Sequence, residues 1–245
     1  MIFTICVICL ALTNRNLEQQ AQAIFKSYFV DCIPYGGVIP ETWHNVSLAE
    51  MCVKITDGSH YSPKDSPDSP YPMLSVKDME EYDFCRSNCK HLEWHDLQEM
   101  KKNDCIPQVD DILVAKDGSY LKEIFICNEQ RQEAILSSIA IFRPNPNVIK
   151  PEILLYLLKQ PNVRKDVADN YVSGSVLPRI VLKDFKRYSC VIPPLSEQNR
   201  ILGFLSSIRG KIAQNVKENN RLAILRDTLL PRLMSGEIDV SEVEV

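Results

Sequence analysis

The chain lacks the short spacings by which most enzymes can be read. It has no GxSxG elbow, no HExxH pair, no Walker loop, no glycine-rich cofactor turn after a strand and no (N/D)PP(Y/F) motif. Serine hydrolysis, zinc proteolysis, nucleotide hydrolysis and methyl transfer therefore have no recognisable machinery here. Glycine is scarce, at 8 of 245 residues, and no low-complexity tract occurs. A long apolar run is also missing. Met1 to Leu12 is almost wholly apolar, but it falls short of the ~20 residues that a membrane helix needs. No basic residue precedes it, as a secretion signal would require. Burial against a partner helix, or a start inside a longer ancestral reading frame, is the expectation for this segment. There is no overall positive charge, since the net is −4, which does not favour a nucleic-acid partner. There is no disulfide framework either. The nine cysteines are odd in number and scattered, so a reducing cytoplasm is expected.

What is present suits a folded domain with a sizeable core. Hydrophobic residues make up 45% and charged residues 24%, so neither metal nor disulfides are needed for folding. Charge is unevenly spread. Asp65 to Asp111 holds twelve acidic and five basic residues, whereas Lys159 to Arg187 holds seven basic and three acidic ones. A local basic surface can meet a duplex while the remainder stays acidic. One cysteine and histidine cluster, Cys85, Cys89, His91 and His95, is compact. Structural zinc sites draw two pairs from separated knuckles, so no metal is expected.

Three regions follow from periodicity. Residues 1–33 form an N-terminal helical region, in which Leu17, Ala21, Ile24 and Tyr28 predict a helix over Asn14–Val30. Residues 34–195 read as an α+β domain of short strands and helices. Strands are expected at Ile112–Ala115, within EIFICN (123–128) and within SSIAIFRP (137–144), with helices at Pro151–Leu158 and Pro161–Asn170. Long loops are expected at Asp57–Pro72 and Tyr171–Arg179. Residues 196–236 read as a long helix, capped by Ser196 and ended by Gly236, with an acidic tail at 237–245. Its apolar seam, Ile201, Leu205, Ile208, Ile212, Leu222, Leu229 and Leu233, steps by fours and threes through Asn215, Asn219 and Arg226. That is a coiled-coil pattern, and an Asn in the seam sets register. Pro231 is expected to kink the last turn. Asn14 to Phe29 also aligns with Asn219 to Met234 at a constant offset, which suggests a unit once present in tandem.

One segment offers a trace of nuclease chemistry. Asp110, Asp111 and Lys116 surround a strand, as carboxylates and lysine do in PD-(D/E)xK sites, but the second acid is not two residues before the lysine.

Several segments resemble the specificity subunit of type I restriction-modification systems. Lys54-Ile-Thr-Asp-Gly-Ser-His60 resembles its I-x-DG-x-H segment. Asp111-Ile-Leu-Val-Ala-Lys-Asp-Gly-Ser119 resembles GDIL-x-x-x-x-G, with Asp110 where the family has glycine, so a different turn is expected. Ser173-Gly-Ser175 with Pro178 to Ile180, Ile192-Pro-Pro-Leu-Ser-Glu-Gln198, and Leu229 to Ile238 resemble three further segments, and Leu17 to Asp31 looks like the end of the family's central helix. The match runs over about residues 14–239 and corresponds to the second of two target-recognition domains with its flanking helices.

The resemblance implies a non-catalytic, sequence-specific reader of double-stranded DNA. Its helices would form an antiparallel coiled coil that acts as a ruler. Methyltransferase subunits would dock on it and a restriction/translocase subunit would join the complex. S-adenosylmethionine, ATP and Mg would then belong to those partners, and this chain would carry no cofactor. A homodimer, or pairing with a second half-subunit, would use the seam. Candidate DNA contacts are Lys54, Ser59, His60, Tyr61, Lys64, Lys116, Ser119, Tyr120, Lys122, Ser173, Ser175 and Arg179, all donors in or near loops. Gly58, Gly118 and Gly174 serve loop conformation. Two other readings are a scaffold that docks methyltransferase without reading DNA, and a stand-alone nuclease or methyltransferase.

Overall fold

The computed structural model describes residues 2–118, 120–174 and 178–237, with side chains from residue 8 onward. In chain order the elements are α1 (Ile2–Phe29), β1 (His44–Ser47), α2 (Leu48–Met51), β2 (Cys52–Asp57), β3 (Tyr71–Leu74), β4 (Lys90–Leu92), α3 (Trp94–Lys102), β5 (Ile112–Ala115), β6 (Ile124–Ile126), β7 (Ala134–Ile135), β8 (Ile139–Pro144), α4 (Pro151–Leu158), α5 (Pro161–Asn170), β9 (Val172–Ser173), β10 (Arg179–Ile180), α6 (Leu182–Phe185), β11 (Ser189–Ile192) and α7 (Leu195–Met234). This is an α+β fold. Among the described residues no helix is long and apolar enough to cross a membrane.

The centre is an antiparallel sheet in the order β2-β8-β5-β6. Its strands are short, continuous apolar runs, the pattern of a sheet covered on both faces. In β5 every side chain is buried: Ile112 and Val114 join one core, while Leu113 and Ala115 join another. The first core also takes Phe142 from β8, Leu154 and Tyr156 from α4, Phe185 from α6, Phe25 from α1, and Ile201 and Leu205 from α7. The second meets the sheet β4-β3-β7 through Leu74 and Ile135, with Phe84 packed edge-on to Phe125. A third cluster lies under α3, around Leu97 and Met100.

The readings of α4 and α5 hold at both ends, and those of the two long helices are right in kind but displaced at their ends. The N-terminal helix begins at Ile2, not Asn14, so the apolar segment is helical too. The long helix starts at Leu195 with Pro194 at its cap, and Ser196 lies inside it. Its end is a Schellman motif. Gly236 takes φ 73, Glu237 N–H donates to Arg232 O at 3.0 Å and Gly236 N–H donates to Leu233 O at 3.3 Å. The helix continues through Pro231 to Met234. Both long loops contain strands. Pro72 lies in β3, and β9 pairs with β10. Asp110 stands at φ 68, so the turn that glycine would make is kept, at a cost of about 1 kcal/mol.

α1 lies antiparallel on α7. Asn14 and Asn215 face each other in a buried 2.7 Å hydrogen bond, and Tyr35 beyond α1 reaches Glu197 in the first turn of α7. This arrangement corrects the reading of the seam. Ile201, Leu205 and Ile212 are buried inside the chain itself. Ile208 and Leu222 are half-buried, Leu229 is half-buried near the free end, and Leu233 is exposed. The physical reason is that the half of α1 from Asn14 onward and the core of the domain together cover the proximal seam in cis.

A buried amide joins the start of the long helix to the domain. Gln198 is fully buried, donates to Val148 O and Pro193 O at 2.9 Å each, and accepts from Lys150 N–H at 2.8 Å. Gln198→Leu removes these three bonds and strands main-chain groups. It is expected to lower stability by about 3 kcal/mol or more. Urea unfolding checks this through a lower midpoint at unchanged slope.

Candidate nucleic-acid interface

β2 and β5 both run antiparallel to β8, so their C-terminal ends meet the start of β8. Three segments that are distant in sequence converge there. Gly58 N–H donates to Ile139 O at 3.1 Å, Ser59 N–H to Ile135 O at 2.8 Å, and Ser137 N–H returns to Ser59 O at 2.9 Å. Lys116 N–H donates to Ser138 O at 3.0 Å, Gly118 N–H to Pro178 O at 2.7 Å, and Ile180 N–H to Lys116 O at 3.0 Å. The loops of His60, Lys116 and Arg179 thus share one end of the domain. It is the end of β5 opposite Asp110, which contacts α7 through Arg209.

Each glycine has its own reason. A Cβ on Gly58 would stand 2.2 Å from Ile135 O, so only glycine lets this loop pack onto β7. Gly118 and Gly174 take φ 71 and 95, the left-handed region.

The candidate contacts divide. His60, Tyr61, Lys64, Lys122, Ser173 and Arg179 are exposed. Ser173 sits opposite Arg179 in the β9–β10 pair. Ser59 spends its hydroxyl on the main chain of Tyr61, forming a local turn. Tyr120 packs partly against the main core. Two lysines were misread as free donors. Lys116 is only 8% exposed and its Nζ lies 2.6 Å from Asp57 Oδ2, because the loop folds back over its own strand end. Lys54 lies within β2, away from this face, and pairs with Asp104. Ser119 and Ser175 lie outside the described residues.

Asp57 is the residue the sequence reading passed over. Its carboxylate meets Lys116 and lies 3.3 Å from His60 Nε2. The available signal was the Asp57-Gly58 pair itself. Also passed over was Trp94, exposed on α3 and tilted over Tyr71 at 5.4 Å, beside a cleft of about 950 Å³ that Gln98 and Gln132 help to line. The Cys85, Cys89, His91 and His95 group does not converge. Among the described residues, only His95, Asp96 and Glu99 place three ligand atoms together, on an exposed helix face.

The nuclease-like trio is pulled apart. Asp111 and Lys116 sit at opposite ends of β5. The Asp111 carboxylate is fully buried and accepts from Arg143 at 2.8 and 2.9 Å and from Gln108 N–H at 2.8 Å. Arg143 continues to Asp104, which also holds Lys54. Burial pushes the Asp104 carboxyl up, but hydrogen bonds and charge from Lys54 and Arg143 outweigh it and hold the group below its ordinary value. A depressed carboxylate stabilises the fold above its unfolded pKa of about 4, and that stabilisation is lost as pH falls through the folded value. Asp104→Asn is therefore expected to be less stable than the parent at pH 7, with the gap closing in acid. Urea unfolding at pH 7 and pH 3 measures both; a gap of constant size would contradict this assignment.

Comparison with known proteins gives a family. The model for the type I restriction modification DNA specificity domain matches residues 40–223. The type I restriction enzyme MjaIX specificity subunit of Methanocaldococcus jannaschii is 23% identical over 94% of this chain and 55% of its own length. The putative MjaX specificity subunit of the same organism is 28% identical over 76% of this chain and 44% of its own length. The chain thus spans about half the length of these relatives. Among solved structures, the type I restriction-modification S subunit from M. genitalium superposes with a TM-score of 0.62 at 17% identity, over 95% of this chain and 57% of that one, and shows the same fold. With three-quarters of its length inside the family model, the chain belongs to the type I restriction-modification DNA specificity domain family.

Proposed function

We propose that the chain is a non-catalytic, sequence-specific reader of double-stranded DNA, acting as about half of a specificity subunit. The observation that carries this reading is the convergence of the His60, Lys116 and Arg179 loops on the end of the domain away from α7. That end presents exposed donors on short loops held by main-chain bonds, which is what contact with base edges and phosphates requires. Lys116 supports the face from behind through Asp57, leaving Arg179 and His60 to contact the duplex, with Lys122, which is exposed but lies 3.3 Å from Glu123, beside them. Methylation and restriction would belong to methyltransferase and restriction/translocase partners in the cytoplasm, which would carry S-adenosylmethionine, ATP and Mg.

Selection from random duplexes, with the full chain alone and with its methyltransferase, tests this. A preferred sequence is expected. Arg179→Ala should weaken binding by about 1–3 kcal/mol if it touches a base edge, relaxing one position only. Lys116→Ala should instead lower the melting temperature. A folded chain that selects no sequence under either condition overturns the function.

The partner seam moves outward. Beyond the reach of α1, α7 exposes Leu230, Leu233 and Met234 near half-buried Leu229, in line with half-buried Leu222. Such a stripe calls for a helix partner, here a second half-subunit, the same chain, or the methyltransferase. Replacing Leu230 and Leu233 with Asp should leave the domain folded and abolish association in sedimentation. Association unchanged in that variant would place the interface elsewhere.

A further inference from the structure

Among the described residues, hydrogen bonds tie the recognition domain to α7 at two levels along the helix, and the exposed Lys217–Glu129 pair further on is looser, at 4.0 Å. The first is Gln198. The second lies eleven residues on, about 16 Å along the helix. There Arg209 Nη1 stands 3.1 Å from Asp110 Oδ1 and 3.3 Å from Glu152 Oε1, and Ser206 Oγ donates to the same Glu152 oxygen at 2.8 Å. Glu152 is buried, and Ser206 and Arg209 of α7 are its partners. Asp110 holds a left-handed backbone at φ 68 that glycine would take without strain. Its carboxylate turns this costly position into a contact with the helix. Leu205 and Ile212 are buried on either side of the second anchor along the helix, but one side stays open. A cleft of about 410 Å³ opens beside it, lined in part by Val109, Lys150, Leu202 and Arg209.

Apolar contacts hold α7 on the domain but are non-directional, so the angle is fixed by two separated polar anchors, and with one lost the domain can turn about Gln198. Gln198 grips the loop after β8, and β8 runs about 20 Å from the reading loops to that point. A pivot of about 10° would carry the far loops about 3.5 Å, close to one base step along a strand. We propose that Asp110 and Arg209 are positioning residues for DNA recognition. They set where along a duplex the reading loops fall relative to the long helix, and leave the identity of the bases to the loops. This rests on the DNA-reading function proposed above.

The distance test uses the full chain carrying nitroxides on a keto amino acid at positions 77 and 211, both exposed, so native cysteines and candidate DNA contacts stay untouched, and the selection uses the unlabelled chain. Pulsed dipolar spectroscopy reads the distance distribution. Asp110→Gly relieves the backbone, and Arg209→Gln removes the guanidinium. Together they are expected to broaden the distribution, while Arg209→Lys stays near the parent. In selection from random duplexes with the methyltransferase, the double variant should choose the same bases but tolerate more spacings between the two recognised blocks. An unchanged distribution overturns the proposal, as does a change in the bases chosen with spacing kept. If the distances respond as expected but the parent selects no sequence, the DNA-reading function fails, and with it the purpose assigned here to the clamp.

Discussion

A buried side-chain amide must satisfy both its carbonyl and its NH2, and Gln198 does so with main-chain groups alone. Its partners come from the loop before α4 and from the turn that starts α7. That constraint fixes where α7 starts as it leaves β11. From that start, Ile201 and Leu205 enter the main core one turn apart and Ile212 follows on the same face. α1 can then lie against the same helix, with Asn14 meeting Asn215 and Glu18 meeting Lys159 of the domain at 2.7 Å. A mismatch of one turn would leave two buried amides unpaired, so register follows from the cost of unsatisfied polar groups rather than from apolar area.

The central sheet imposes the complementary constraint. Its faces are both covered, so polar groups have room only at strand ends. At one end the answer is internal: Asp111, Arg143, Asp104 and Lys54 form a connected set of charges that closes the core towards β2. At the other end the loops close with main-chain bonds, and the side chains of His60, Lys122 and Arg179 stay in solvent. The same topology thus yields one end fit for support and one fit for contact.

Much of this was legible. β5, β6, β8, α4, α5 and α7 announce themselves because their apolar periods are strong and their limits are marked by proline, glycine or aspartate. α3 escaped because its interior carries Asp96, Glu99 and Lys101 around only two buried residues, Leu97 and Met100. β1 and β11 escaped because each is four residues long and finds its partner more than a hundred residues away. The start of α1 was missed because residues 2–12 have no polar face to give a period. Within the site, turn chemistry identified the right loops, but side-chain roles depended on long-range pairing. Lys116 reads as an exposed loop lysine until Asp57, fifty-nine residues earlier, is placed beside it. The seam reads as one continuous partner surface until the core of the domain and α1 are placed against its first half.

That pairing also bears on how an acidic chain with a net of −4 would approach DNA. Lys54, Arg86, Lys116, Arg131, Arg143 and Lys159 are all engaged by carboxylates of the chain. Each such pair removes a cation from those able to displace phosphate counterions. Fewer available cations mean a shallower dependence of affinity on salt and weaker binding to arbitrary duplex. What then distinguishes one duplex from another is hydrogen bonding at base edges, which survives added salt better than phosphate attraction does. On the proposed reading, the internal charge pairs of this domain therefore favour discrimination over general affinity. The affinity given up in this way must come from additional contacts elsewhere in the assembly, and the uncovered apolar stripe at the end of α7 is where such an assembly can be built.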